Sequence, residues 1–212
     1  MSKAAGMSVN FSFFTKSCRI FALVFNLLLI ADLALALENV DLKILSAFKS
    51  LNSQAVPNLS ETPTARKGVV LIFLSAKCPC SNNHIQEIKT LAQEYPTFQF
   101  LAIHSNTDES EALAEPYFKA LNLDFAVLND PDAKIADLLK AFKTPHSFVI
   151  SNSGQILYKG GVSNSSNPAK ADQHLLKEAL EDTLNGKPVR TPEGRTLGCM
   201  ITRKSQDASI WK

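Results

Sequence analysis

The sequence predicts an α/β fold in which a central mixed sheet carries helices on both faces. Apolar runs rich in β-branched residues alternate with segments whose apolar residues recur at helical spacing. This alternation indicates parallel strands covered by helices. The stretch Ser151-Asn-Ser-Gly154 lies between two further strand-like runs and indicates a hairpin, which adds antiparallel pairing to the sheet.

The predicted elements divide the chain into an N-terminal helix at 37–54, a main domain at 55–186 and a tail at 187–212. The N-terminal helix rests on helical spacing from Val40 to Leu51. The tail lacks any periodicity. Within the main domain we expect, in order, a strand at 69–74, a helix at 82–95, a strand at 98–104, a helix at 109–121, a short strand at 125–128, a helix from about 133 to 142 capped by Asp132, hairpin strands at 147–150 and 155–158, and a helix at 175–184.

Residues 1–36 have the features of a secretory signal peptide. Basic residues begin the segment, an apolar run covers 20–30, and Ala34-Leu35-Ala36 is a small-x-small cleavage pattern. We expect cleavage after Ala36. The alternative is an uncleaved membrane anchor, although the apolar run is short for a span of about 20 residues.

Composition and charge exclude several classes of protein. The chain of 212 residues is 45% hydrophobic, which excludes a disordered chain, and no residue type dominates as in a fibrous one. A net charge of +2 without a basic block argues against a nucleic-acid partner. Export would leave Cys78, Cys80 and Cys199 in an oxidising compartment. Because three is an odd number, at least one thiol must be free, metal-bound or joined to a partner.

Cys78 stands where a buried strand ends and a helix begins. The first backbone N–H groups of a helix lack internal partners, and together with the helix dipole they stabilise a thiolate. The pKa of such a thiol falls and its nucleophilicity at neutral pH rises. Lys77 adds a positive charge nearby, and Pro79 suits the first helical turn. We therefore expect Cys78 to be a nucleophile, the alternative being an inert buried thiol.

Five segments together point to a known family. They are the strand Val69-Val-Leu-Ile-Phe-Leu-Ser-Ala-Lys-Cys78, the loop Thr144-Pro145 with Ser147-Phe-Val-Ile-Ser-Asn-Ser-Gly154, the strand Ile156-Leu-Tyr-Lys-Gly160, the segment Ile103-His-Ser-Asn106, and the late Gly198-Cys199-Met-Ile201. Over about residues 55–202 the chain resembles the redoxin branch of the thioredoxin-like superfamily, the alkyl hydroperoxide reductase and thiol-specific antioxidant (AhpC/TSA) group. This resemblance implies a thioredoxin-like fold and thiol-disulfide chemistry.

Two departures from the family's patterns bear on the activity. Thioredoxin-type proteins carry Cys-x-x-Cys, whereas Ser81 stands three residues after Cys78 and the second thiol is Cys80. A peroxiredoxin has proline seven residues before its peroxide-attacking cysteine, where this chain has Leu71, and it uses an arginine near the site. No arginine lies between Arg66 and Arg190. Peroxide reduction is therefore expected only as a secondary activity.

Either remaining thiol is a candidate to resolve a mixed disulfide on Cys78. Cys80 would close a tight, strained ring, which suits a reactive disulfide. Cys199 follows Gly198, which permits close backbone approach, and its alternative role is a structural disulfide that ties down the tail. The resemblance assigns Thr144 and Pro145 to positioning, with a cis bond that leaves Thr144 backbone groups free to pair with an extended partner chain.

Three functions follow as hypotheses. The first is an exported thiol-disulfide oxidoreductase of redoxin type without a cofactor, which exchanges electrons with a partner thiol or disulfide protein. The second is a soft-metal carrier that binds copper or zinc through Cys78, Cys80 and His84, because thiolates and imidazole favour such metals. The third is a binding module on the same fold without redox activity. Contact with a membrane is expected only through an uncleaved leader.

Overall fold

The computed structural model describes residues 39–59 and 65–204, and the elements below all belong to the unit that begins at Val40. The predicted leader at 1–36 lies outside the described residues. Among the helices of the described ranges, none has the length and apolar character needed to cross a membrane.

The core of the molecule is a five-stranded mixed sheet in the order β3-β2-β1-β5-β6. Parallel pairing joins β1 to β2 and β2 to β3, while β1–β5 and β5–β6 are antiparallel. The mixed sheet expected from the sequence is therefore confirmed. The strands are β1 (Gly68–Phe73), β2 (Phe98–His104), β3 (Val127–Asn129), β5 (His146–Ile150) and β6 (Ile156–Gly160).

Helices cover both faces of the sheet, as predicted. Successive side chains of a strand point to opposite faces, so the fully buried β1 supplies Val70 and Ile72 to one core cluster and Val69 and Leu71 to the other. The first cluster is completed by α1 (Pro79–Glu94), α2 (Glu111–Ala120) and α4 (Leu175–Leu184), and the second by α3 (Lys134–Leu138) and by an N-terminal 3₁₀ helix, Leu42–Ala47.

The N-terminal helix is shorter and tighter than expected. It is a 3₁₀ helix of six residues, Leu42–Ala47, and its buried side chains are Leu42 and Leu45. The expected apolar face, which included Ile44, is wrong because a 3₁₀ helix has three residues per turn and aligns positions i and i+3. Ile44 is exposed.

The cap of α3 also differs from the prediction. Asp132 forms ion pairs with lysines at the surface instead. The buried carboxylate of Asp130 accepts hydrogen bonds from the backbone N–H groups of Ile135 (3.0 Å) and Ala136 (3.2 Å), which lack partners within the helix. Asp130 and Asp132 both precede the helix, so the sequence alone does not show which of the two caps it.

The C-terminal segment contains a strand that the sequence did not predict. The short strand β7 (Cys199–Met200) pairs antiparallel with β4 (Lys143–Thr144), so that Thr144 faces Cys199. A two-residue strand is too short to show a period of two. Pairing continues beyond it, because the N–H of Ile201 donates to the carbonyl of Phe142 (2.9 Å). The end of the chain is thereby attached beside the loop that precedes β5.

Candidate active site

Cys78 is the N-cap residue of α1, directly after the loop that leaves β1. Its backbone is extended (φ −82°, ψ 114°), and Pro79 occupies the first helical turn. The predicted junction of strand, cysteine and helix is therefore confirmed. The side chain is 1% exposed, which makes this thiol the most deeply buried of the three described cysteines.

Thr144 and Pro145 lie beside the sulfur, and the peptide bond between them is cis, as the resemblance implies. Cys78 Sγ lies 3.0 Å from the carbonyl oxygen of Thr144, to which the protonated thiol donates. The hydroxyl of Thr144 is buried without a hydrogen-bond partner among the described residues, so it is available to donate to the thiolate form of Cys78. Thr144 therefore offers an acceptor to the thiol and a donor to the thiolate.

Cys199 reaches the same sulfur through β7. Cys199 stands opposite Thr144 in the β4–β7 pairing, and its thiol and backbone N–H act as donors that lower the pKa of Cys78. Gly198 permits this approach, because a Cβ at position 198 would overlap the carbonyl of Thr144 and its φ of +148° is one that side chains rarely adopt. The backbone groups of Thr144 that we expected to be free for a partner chain are instead paired with the chain's own β7.

The surroundings of Cys78 lower the pKa of its thiol from 9.0 to about 7. Burial is the largest single influence and raises the pKa. Hydrogen bonds from the Cys199 thiol, the Thr144 hydroxyl, and the backbone N–H groups of Ser81 and Cys199 together outweigh it. Cys78 is therefore partly ionised at neutral pH, which favours a nucleophilic thiol over an inert buried one.

Lys77 contributes less than expected. Its ammonium group donates to the carbonyl of Asp108 (2.9 Å), and half of its side chain is exposed. It is not among the groups that lower the pKa of Cys78. The helix start lowers the pKa of Cys78 through the backbone N–H of Ser81, and the charge of Lys77 is not one of the causes.

The other two thiols have raised pKa values for different reasons. For Cys80, which is half-buried, burial is the main cause and the charge on Cys78 follows. For Cys199, the hydrogen bond to Cys78 is the main cause and raises the pKa to about 12. Cys199 is thus a protonated donor to the Cys78 thiolate, although its residue is exposed at the surface.

Glu109 is a residue of the site that sequence reasoning missed. Its carboxylate is buried and accepts hydrogen bonds from the Ser75 hydroxyl (2.5 Å) and from the backbone N–H of Ala76 (2.7 Å) and Lys77 (3.4 Å). It therefore fixes the loop that carries Cys78. In the sequence, Glu109 reads as an acidic residue at a helix start, and only its position after the strand that ends at His104 gives a hint of the contact.

The histidines do not complete a metal site with the cysteines. His84 has Nδ1 2.7 Å from the carbonyl of Cys80 and Nε2 2.9 Å from the Ser163 hydroxyl, so both ring nitrogens are engaged. Within 39–59 and 65–204, no group of three or more His, Cys, Asp and Glu side chains is arranged to hold a metal ion. His146 packs against Phe142 and Phe148, and burial lowers its pKa to about 4.

Three of the four arginines in the described residues have side-chain partners elsewhere, the fourth, Arg195, is exposed, and none of the four is among the groups that lower the pKa of Cys78. Arg66 bonds to Asn152, Arg190 pairs with Asp182, and Arg203 binds Asp137. The side chain of Leu71, at the position of the peroxiredoxin proline, is fully buried in the middle of β1. The geometry therefore offers Cys78 a thiol partner but no arginine of the kind that peroxiredoxins use on peroxide.

A comparison with family models gives one match. The model described as the AhpC/TSA family covers residues 45–159, which is more than half of the chain and includes Cys78, Thr144 and Pro145. The match ends before β7, so Cys199 lies outside it. No curated protein matches the chain.

Solved structures resemble the whole domain at low sequence identity. An uncharacterized conserved protein from Geobacillus kaustophilus superposes with a TM-score of 0.65 at 22% identity, over 76% of this chain and 89% of that one. A hypothetical protein from Sinorhizobium meliloti gives 0.60 at 20% identity, over 74% and 94%. The N-terminal domain of PilB from Neisseria gonorrhoeae gives 0.52 at 16%, over 68% and 90%. The thioredoxin-like fold implied by the sequence is confirmed.

Proposed function

The chain belongs to the AhpC/TSA family, and from this premise we propose that it is a thiol-disulfide oxidoreductase with Cys78 as nucleophile and Cys199 as resolving cysteine. The observation that carries the proposal is the pairing of Cys199 with Thr144, whose carbonyl oxygen lies 3.0 Å from Cys78 Sγ, and the lowered pKa of Cys78 supports it. A nucleophilic thiolate and a second thiol in contact are the two parts that disulfide exchange requires.

The first step is attack of the Cys78 thiolate on a sulfur of the substrate disulfide. A bond forms between Cys78 and that sulfur, the substrate S–S bond breaks, and the other substrate sulfur leaves as a thiolate. Because Cys78 is 1% exposed, the substrate reaches its sulfur when β7 moves away from β4. The opening is confined to the two residue pairs of this ladder, Lys143–Met200 and Thr144–Cys199, while Ile201 beyond them stays packed in the second core cluster.

The second step is attack of Cys199 on Cys78. Once Cys78 is part of a mixed disulfide it carries no charge, so the main cause of the raised pKa of Cys199 is removed. Return of β7 brings the ionised Cys199 to the Cys78 sulfur. The Cys78–Cys199 bond forms and the second substrate sulfur leaves, so that the substrate gains two electrons and the protein is oxidised.

Cys80 is less suited to resolution than Cys199. It lies in the first turn of α1, two residues after Cys78, and its hydrogen bond to Cys78 raises its pKa less than burial and the charge on Cys78 do, whereas for Cys199 that hydrogen bond is the main cause. A bond between these cysteines would require the first turn to deform, which would withdraw the Ser81 N–H from the sulfur. The pairing of Cys199 with Thr144 needs no such change.

Single turnover with a disulfide-bonded peptide tests the proposal. Cys78→Ser should abolish reduction of the peptide. Cys199→Ser, which keeps a hydrogen-bond donor beside the thiolate, should accumulate a mixed disulfide between Cys78 and the peptide, detected by intact mass. Cys80→Ser is the matched control and should reduce the peptide without a trapped adduct. Trapping by Cys80→Ser in place of Cys199→Ser would show that the resolving role has been assigned to the wrong cysteine.

We also propose that the protein is exported, as the leader at 1–36 indicates. An exported protein of this type needs an external thiol protein as its electron source. N-terminal sequencing of the exported protein should begin at Leu37. An intact N-terminus on the exported protein would support the membrane-anchor alternative.

A further inference from the structure

We propose that the two halves of the redox cycle use different sulfurs: Cys78 attacks the oxidised substrate, whereas the reductant that regenerates the protein attacks Cys199. The inference rests on the proposed function, because it requires a Cys78–Cys199 disulfide. It adds a second reactive position, at the surface, and assigns an external thiol as its reactant.

The sulfurs of Cys78 and Cys199 differ in their access to solvent. Cys78 lies beneath the Thr144 carbonyl with 1% of its side chain exposed, whereas Cys199 is an exposed residue. A disulfide between them would also hold β7 on β4 by a covalent bond. The opening that lets a substrate reach reduced Cys78 is then blocked, so an incoming thiol meets Cys199.

The chain on both sides of β7 keeps Cys199 in place. On one side, Ile201 is 4% exposed and packs into the second core cluster, and Arg203 donates to the Ala141 carbonyl (2.7 Å). On the other, the ammonium group of Lys143 donates to the carbonyl of Thr196 (3.4 Å), a buried residue. These contacts present Cys199 to solvent from a fixed position.

Leaving-group chemistry also favours attack of the reductant on Cys199 over attack on Cys78. A thiolate displaces the sulfur whose thiol has the lower pKa more rapidly. Attack on Cys199 expels Cys78, whose thiolate is stabilised by the Thr144 hydroxyl and by the N–H groups of Ser81 and Cys199. Attack on Cys78 would expel Cys199, and burial and the charge of Glu109 raise the pKa of that thiol even when Cys78 carries no charge. The donors around Cys78 are already in place to receive the expelled thiolate.

In the regenerating step, the two thiolates of an external dithiol act one after the other. A thiolate of an external dithiol attacks Cys199 Sγ, the Cys78–Cys199 bond breaks, and its electron pair goes to Cys78 as a thiolate. The second thiolate of the dithiol then attacks its own first sulfur, and Cys199 leaves and takes up a proton. The protein gains two electrons, and the dithiol becomes a disulfide.

The site of attack can be read with reduced glutathione as the probe. The full chain carrying Cys18→Ser and Cys80→Ser is oxidised, mixed with glutathione, quenched at early times with excess N-ethylmaleimide, and mapped by peptide mass. We expect glutathione on Cys199 and maleimide on Cys78, in at least about tenfold excess over the reverse pattern. Glutathione on Cys78, or an even division, would overturn the inference.

The size of the thiol provides a second measurement. Glutathione and 2-mercaptoethanol should reduce the oxidised protein with similar rate constants if attack occurs at an exposed sulfur. A strong preference for the smaller thiol would place the attack at a buried sulfur and overturn the inference. Failure of the oxidised protein to contain a Cys78–Cys199 disulfide would remove the proposed function as well, whereas an adduct on Cys78 removes this inference alone.

Discussion

At the scale of single residues, the reactivity of Cys78 depends on donors from three separate parts of the chain. Ser81 belongs to the same helix, Thr144 to the loop before β5, and Cys199 to the C-terminal segment. Burial opposes ionisation at this position, so the low pKa exists only because these donors converge. Removal of one donor should therefore raise the pKa of Cys78.

Cys199→Ala should raise the pKa of Cys78 by about one unit. A hydrogen bond to a charged group contributes about 1.5–3 kcal/mol, and one pKa unit corresponds to about 1.4 kcal/mol. The measurement is a titration by ultraviolet absorbance of the thiolate, in a chain that also carries Cys18→Ser and Cys80→Ser. Cys199→Ser keeps a donor and should shift the pKa less. Equal values for the alanine and serine variants would show that the Cys199 side chain does not stabilise the thiolate.

Glu109→Gln should destabilise the protein by about 1–3 kcal/mol, because the amide loses one acceptor and brings an N–H₂ group against buried donors. The measurement is urea unfolding of the reduced protein. Glu111→Gln is the matched control: its carboxylate is exposed and pairs with Lys49, so the loss should be below about 1 kcal/mol. Similar losses for both variants would contradict the role of Glu109 in holding the loop of Cys78.

The position of Cys78 at a helix start was predictable from the sequence, but the contacts of Glu109 and Cys199 at this site were not. The cysteine follows a continuous apolar run and precedes proline and a helical period, so its position at the helix start depends only on local patterns. Contacts of Glu109 and Cys199 join segments 31 and 121 residues away from Cys78 in the chain, counted from their residue numbers. No local period encodes such contacts, and the lowered pKa of Cys78 depends on those of Cys199.

At the scale of elements, the pairing of β4 with β7 connects the end of the chain to the reactive cysteine. This pairing depends on Gly198, where a side chain would overlap the Thr144 carbonyl. The loop before β5 and the segment before β7 therefore approach each other more closely than two ordinary residues allow. The formation of β7, which carries Cys199, therefore depends on Gly198 and on burial of Ile201 just beyond the strand.

Gly198→Ala should detach β7, raise the pKa of Cys78 and increase its reaction rate with a bulky maleimide at high pH, where the thiolate is present in both proteins. Loss of the Cys199 donors explains the pKa, and loss of cover explains the rate at high pH. Gly186→Ala is the control, since its φ is also positive (+66°) but nothing lies within 4 Å of the added Cβ. A protein with Gly198→Ala whose Cys78 titrates and reacts as in the wild type would contradict this account of β7.

The long elements were predictable and the short ones were not. The bounds expected for β2 and α4 agree with the structure, and those for β1 differ by one residue, because buried strands and amphipathic helices repeat their pattern over several turns or pleats. The N-terminal 3₁₀ helix, the cap of α3 and β7 depend on few residues each. Their form is decided by the surfaces they pack against.

At the scale of the whole molecule, ionisation of Cys78 couples the redox site to folding. In the folded, reduced protein its pKa is about 7, against 9.0 for an ordinary cysteine. The unfolded chain therefore holds this proton more tightly. The resulting stabilisation is complete above pH 9 and disappears as the pH falls through 7.

The free energy of unfolding of the reduced protein, relative to Cys78→Ser, should increase between pH 7 and 9 by up to about 2 kcal/mol. Above pH 9 the gain should decline, because the pKa of Cys199 is raised to about 12 and the unfolded chain loses that proton first. Urea unfolding under reducing conditions at successive pH values gives the measurement. A difference between the two proteins that does not change with pH would contradict a lowered pKa.

The central claim is that Cys78 and Cys199 form one redox couple across the β4–β7 pairing. Its most direct test is mass mapping of disulfides in the protein after oxidation by one equivalent of a mild oxidant, with free thiols alkylated before digestion. We predict a peptide pair joined through Cys78 and Cys199, with Cys80 alkylated. A Cys78–Cys80 disulfide, with Cys199 alkylated, would contradict the account.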